Sequence, residues 1–442
     1  MPLMMVFSGL WPAIASADAG MPVNAPRYDQ DYPVIGYSGP ATHNRVWRLK
    51  QQLEAGAVKL EWEPKQGYLR SLLRALEIDP DSQVLVFSRT SLQTRFISEK
   101  TPRAIYFNDD TYVGWIQGSP LIEFTVIDAA AGVVFFGLEN LREQAVSLER
   151  EGGRCLTCHD TYSMMGGGVP RVLAMSSPVD DPLDTRTNTS ASEVDDRTPI
   201  EHRWGGWYVT GRRGAAAHFG NLPLREEHGG EQLRKLVGTR ANRESVDGYF
   251  DASGYLTNKS DIAALLVLEH QSYVQNLITR ANYKVRTIVA RGRGAADSWA
   301  ALDRERQAAI RPIIEPVVRA MFFADAVKLN DIEGIGGYTA RFSRSGPLDS
   351  RGRTLRELDL HKRLFRYPLS FLVYSEHFDA LPSYVLDYID SRIAEVLQGR
   401  DTTGLSARIS AADRAAITQI LIDTKPRLAS RLQGQGAVSA RP

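Results

Sequence analysis

The only two cysteines of the chain, Cys155 and Cys158, stand three positions apart with His159 directly behind the second. Two thiols at that spacing can each add across one vinyl group of a porphyrin, and the next imidazole then lies under the iron as its proximal ligand. Cys155-Leu156-Thr157-Cys158-His159 therefore reads as the attachment site of one covalently bound haem c. Structural zinc would take four ligands, typically from two paired motifs, and there is no second cysteine pair. A redox dithiol would sit after a strand and at a helix start within a βαβ pattern, whereas Gly152-Gly153-Arg154 precedes this pair. A dithiol or disulfide role stays open beside haem attachment.

The far side of an iron held by His159 decides between electron transfer and chemistry on a small molecule. His218, among the small residues of Ala215-Ala216-Ala217-His218-Phe219-Gly220-Asn221, is the first candidate there, as sixth ligand or as distal acid/base. Met175 follows an extended run and is a further ligand candidate, although a Met in such a run more often fills the core. His270 lies on the apolar stripe of a helix, where a satisfied core histidine is the plainer expectation and a ligand the sharper one. Met164 and Met165 follow His159 so closely that only the glycines at 166–168 would let them reach the opposite face. His202, His228, His361 and His377 stand among polar residues and are expected at the surface or in hydrogen bonds. Arg203, Arg212 and Arg213 could pair with haem propionates, for which a planar guanidinium is suited. Trp204, Trp207 and Tyr208 could wall a haem pocket or be core aromatics. Asp180, Asp181, Asp184, Asp195 and Asp196 match no EF-hand spacing and read as a solvated loop.

On the pentapeptide the chain resembles the c-type cytochromes, and the resemblance implies thioether bonds from Cys155 and Cys158 and iron ligation by His159. The stretches at 107–115 and 204–211 resemble a larger single-haem family without an assigned activity, so no reaction carries over from it.

The elements that must position these residues read as α+β. Helical spacing predicts short helices over 44–55 and 66–76. Alternating or β-branched runs predict strands over 82–88, 103–107, 111–116, 121–127 and 132–138. The charged segment 139–154 is helix-compatible up to Gly152-Gly153. Segments after His159 are rich in Gly, Pro, Ser and Asp and read as loops, and the glycines at 205–211 suit a backbone passing close to a flat ligand or another segment. Ser260-Asp261 can cap a long helix, with further helices over 297–328, 384–397 and 411–423, the last ahead of Lys425-Pro426. The expected organisation is a signal peptide at 1–17, an α+β module at 18–150, a haem-attachment and loop region at 151–240 and a mainly helical module at 241–430.

With 43% hydrophobic and 24% charged residues, the composition is that of a globular protein rather than a disordered one. The formal charge of +1 supplies no global field toward nucleic acid. The apolar start ends in Ala15-Ser16-Ala17, a small-x-small pattern that points to export and a periplasmic location, although no Lys or Arg precedes it. No later run reaches the ~20 apolar residues of a membrane span. The expected function is one-electron transfer to a redox partner protein. The alternatives are a haem enzyme, peroxidase- or oxygenase-like, with an open or weakly held sixth position, and a haem-based sensor or docking protein.

Overall fold

The computed structural model describes residues 32–142, 146–160, 168–177, 191–214, 217–222, 242–291 and 296–433. The expected signal peptide, Met164, Met165, Asp180, Asp181, Asp184 and His228 lie outside the described residues. Helix α1 (Arg45–Glu54) starts where Asn44 accepts the Trp47 N–H at 2.8 Å, and α2 (Leu69–Ala75) buries Leu69, Leu72 and Leu73. The expected strands become β1 (Val84–Val86), β2 (Arg103–Phe107), β3 (Thr111–Trp115), β4 (Leu121–Asp128) and β5 (Gly132–Glu139). Asn108 makes the β2–β3 turn by accepting from the backbone of Asp110 and Thr111. Gly132 opens β5 at φ +72°, and a Cβ there would come within 2.4 Å of the Thr279 methyl, so the turn also admits the helix behind it.

Among the described residues of the segment 139–154, expected to be helical up to Gly152-Gly153, a helix forms only from Gly153 onward. Leu148–Glu151 is instead strand β6, paired antiparallel with β5, and Leu148 is buried while Glu149 is exposed. The open edge of β5, whose ladder this segment completes, favours an edge strand there over a helix. After the loop regions, β7 (Met175–Ser176) pairs with β8 (Ser192–Glu193), and β9 (Trp207–Tyr208) pairs with β1. The main sheet is antiparallel with the order β6-β5-β4-β3-β2-β1-β9, so part of the expected loop region completes its edge. Gly206, at φ +82°, lies against Ser88. The glycine-rich close approach thus serves another backbone segment.

Strand alternation sends neighbouring residues to opposite cores. Val133 and Phe135 of β5 enter the larger core with the C-terminal helices, whereas Val134, Phe136 and Leu138 enter a second core with α1 and α2. The sheet is covered on both faces, which explains why β5 reads as a continuous apolar run.

The covering helix is α4 (Ile262–Arg291), 30 residues long. Asp261 caps it by accepting the Ala263 N–H at 2.8 Å, and Ser260 donates to the Tyr208 carbonyl at 2.6 Å, joining the helix start to β9. Against it lies α5 (Arg304–Met321), shorter than the expected 297–328. Asp303 caps its start, and Phe323, at φ +54°, breaks the continuation. Then come α6 (Tyr338–Arg344), α7 (Glu376–Asp379), α8 (Ser383–Leu397), α9 (Ala411–Thr424) and α10 (Pro426–Gln433). The sequence reading ends the helices at Lys425-Pro426, but proline fits the first position of α10, where no N–H is needed. No helix among the described residues is long and apolar enough to cross a membrane.

Candidate functional site

All three residues of the cysteine–histidine motif lie on α3 (Gly153–His159), a helix of seven residues. Cys155 is half-buried and packs, with Leu156, against the larger core, while Cys158 is exposed. Both are free thiols. Burial, with Glu151 and Glu123 nearby, pushes the Cys155 thiol up to about 12. A reactive dithiol needs a lowered value, so the environment of Cys155 opposes that alternative.

His159 ends α3 with its ring 4.7 Å from that of Phe135. Its Nδ1–H donates to the Arg171 carbonyl at 2.8 Å, and the Arg171 N–H donates back to the His159 carbonyl at 3.1 Å. The next residue, Val172, is held on both sides by Asn276 of α4, which accepts its N–H and donates to its carbonyl, each at 2.8 Å. Thus α4 holds the segment that holds the imidazole. With Nδ1 carrying the proton, the lone pair of the neutral ring lies on Nε2. Burial first, then the Arg103 and Arg171 charges, pull His159 down to about 4, so it is neutral at pH 7 as an iron ligand must be.

Arg171 is 6% exposed and pairs through Nη1 with Glu193 of β8 at 2.8 Å. Its Nε and Nη2 are buried with no acceptor among the described residues, as is the Nε of Arg103 on β2. Buried unpaired donors on a cation are costly, and an anion such as a carboxylate would satisfy them.

The other candidates are placed differently. His218 is buried edge-on to Trp204 at 5.0 Å, and its Nδ1 accepts the Gly220 N–H at 3.0 Å. Its proton therefore belongs on Nε2, the reverse of His159, and it would have to release Gly220 to ligate through that atom. Trp204, in left-handed backbone at φ +66°, donates its indole N–H to Glu269 at 2.8 Å, and Arg203 pairs with the same carboxylate at 2.5 Å. Burial outweighs Arg203 and raises Glu269 to about 7. His218 thus reaches α4 through Trp204 at Glu269 and His159 reaches it at Asn276, about 10 Å apart along the axis at ~1.5 Å per residue.

His270 uses both ring nitrogens, Nδ1 with Asp196 at 2.7 Å and Nε2 with Ser370 at 2.9 Å, which makes it a satisfied core histidine. Met175 is buried in β7, and its carbonyl accepts the Trp207 indole N–H at 2.6 Å. Trp207 and Tyr208 are core aromatics of β9. Arg212 is exposed and pairs with Glu333 at 3.2 Å, and Arg213 takes the Asn242 side chain on its backbone N–H. No group of three or more His, Cys, Asp or Glu among the described residues could hold a metal ion by itself.

Comparison with protein families, with curated proteins and with solved structures finds no match to this chain. The site therefore stands on its own chemistry. Two of its parts, Arg171 and Asn276, are missed by sequence reasoning. Arg171 contributes to His159 through a backbone carbonyl that any residue type supplies. Asn276 is one of several polar residues on α4, beside Gln271, Gln275 and Asn282, and nothing in the pattern singles it out.

Proposed function

We propose that the chain is an exported mono-haem c-type cytochrome that passes single electrons to a redox partner protein. The observation that carries this is the bond from His159 Nδ1–H to the Arg171 carbonyl, because an iron-binding histidine is typically fixed by such a bond through its other nitrogen. Cys155 and Cys158 would hold the porphyrin through thioethers and His159 would take the iron. A bound haem would supply one-electron chemistry. Arg171 and Arg103 offer their unpaired donors to its carboxylates, and the half-buried Cys155 turns the attachment toward the core while Cys158 faces solvent, where a partner would approach.

The test is covalent haem retention. Protein produced with export and haem-attachment machinery should keep its haem through acid-acetone extraction, and the Cys155→Ala/Cys158→Ala variant should not. Extraction of haem from the native protein would refute the proposal.

A second function is favoured by the hydrogen bonding of His218, whose Nδ1 accepts the Gly220 N–H, a tautomer that does not suit an axial ligand. A haem enzyme with an open sixth position then applies. Rapid binding of cyanide by the ferric protein and CO by the ferrous protein would select it, and unchanged low-spin spectra would select the carrier.

A further inference from the structure

A cavity of about 410 Å³ opens beside α4 at Leu266, and neither Cys155, Cys158 nor His159 lines it. That volume lies in the range of small-molecule sites. Its inner wall is apolar, with Leu266, Phe322, Phe323, Leu364 and Ile409. The wall is tied together by its backbone: Val327 N–H donates to the Asp196 carbonyl at 2.9 Å, Leu329 N–H to the Lys362 carbonyl at 3.1 Å, and the Arg408 guanidinium to the Ala324 carbonyl. The space is therefore formed before any ligand arrives.

Its charge is one-sided. Five cations line it, Arg203, Lys328, Lys362, Arg363 and Arg408, against the single carboxylate of Asp196. Arg363 is taken up by Asp413 at 3.0 Å, and Asp196 by His270. Lys328, Lys362 and Arg408 are exposed and meet no carboxylate among the described residues. Deeper in, Arg203 is 1% exposed, spends Nη1 on Glu269, and leaves Nη2 buried without an acceptor among the described residues. An unsatisfied guanidinium donor at an apolar wall, behind a mouth of uncompensated lysines, suits an anion whose body is apolar. The Oδ1 of Asp196, which accepts no hydrogen bond among the described residues, offers a place for a hydroxyl donor on the same ligand.

We infer that this cavity is a binding site for a small organic carboxylate with an aromatic or aliphatic body, separate from the haem site. Titration calorimetry of the purified protein at low salt tests it, with benzoate, 4-hydroxybenzoate and hexanoate as probes. At least one should bind with one-to-one stoichiometry. The neutral 4-hydroxybenzyl alcohol should bind at least tenfold more weakly than 4-hydroxybenzoate. Lys328→Gln/Lys362→Gln, both at exposed positions, should weaken the carboxylate about tenfold, and Ala326→Trp, which fills the cavity, should abolish binding. Failure of all three carboxylates, equal binding of the alcohol, equal binding of inorganic phosphate, or binding unaffected by both variants would overturn the inference. Since no step needs haem, the result is independent of the covalent-retention test.

Discussion

His159 and His270 are both imidazoles packed on aromatic rings, His270 on α4 itself and His159 on a segment that α4 holds, yet their hydrogen bonds differ in kind. His270 is fully buried, stacked on Phe323 at 4.2 Å, and both nitrogens are consumed by side chains of distant segments, Asp196 and Ser370. His159 is half-buried, and a single backbone carbonyl takes one ring nitrogen, the only hydrogen bond of the imidazole among the described residues. A closed set of bonds holds a core together, and an open one oriented by the backbone leaves a lone pair for something else.

Exchanging the two roles by mutation gives the largest effects. On the proposed haem attachment, His159→Ala should remove the low-spin absorption entirely while the protein remains folded by far-UV circular dichroism. An unaltered spectrum would put the iron ligand elsewhere. His270→Ala should leave that spectrum in place and lower the free energy of unfolding by about 3 kcal/mol, because it orphans buried Asp196 and Ser370 and empties a packed site. Urea titration reads the second effect. Equal costs for the two substitutions would erase the distinction between them.

Much of the scaffold behind this contrast is legible in the sequence. Asn44, Asp261 and the runs of β1 to β5 carry local signals, caps and periodicity, that survive folding. What is not legible depends on partners far along the chain. β6 exists because β5 offers a ladder, and β9 because β1 does, so a charged tetrapeptide and a Trp-Tyr pair become strands. The same limit applies to the site. Cys155, Cys158 and His159 are named by spacing alone, but the proton positions on His159 and His218 follow from Arg171 and Gly220 in three dimensions. His270 sits on an apolar stripe in either role, and only its two partners distinguish them.

Asn276 links the two regions and offers a smaller test. Asn276→Ala removes two 2.8 Å bonds to Val172 and should cost about 2 kcal/mol, while increasing hydrogen exchange at Arg171 and Val172 above that of the helix itself. Unchanged exchange there would mean that α4 does not hold the His159 clamp.

His377 is a third buried imidazole and sets the limit of the comparison. Its Nε2 reaches Thr279 at 3.4 Å and its Nδ1 has no partner among the described residues, so an open nitrogen alone does not mark a ligand. What His159 has in addition is two thiols on its own helix and two arginines with unpaired donors beside it. For His377 the open nitrogen has a thermodynamic consequence instead. Burial pulls it down to about 4, so the folded chain keeps it neutral while the unfolded chain protonates it near the ordinary value of about 6.5. Protons then bind the unfolded state better, and stability falls as pH drops from about 6.5 toward 4. Between pH 7 and pH 5 the native protein should lose on the order of 1–2 kcal/mol more than His377→Gln in parallel urea titrations. Identical losses would show that His377 is not held neutral by the fold.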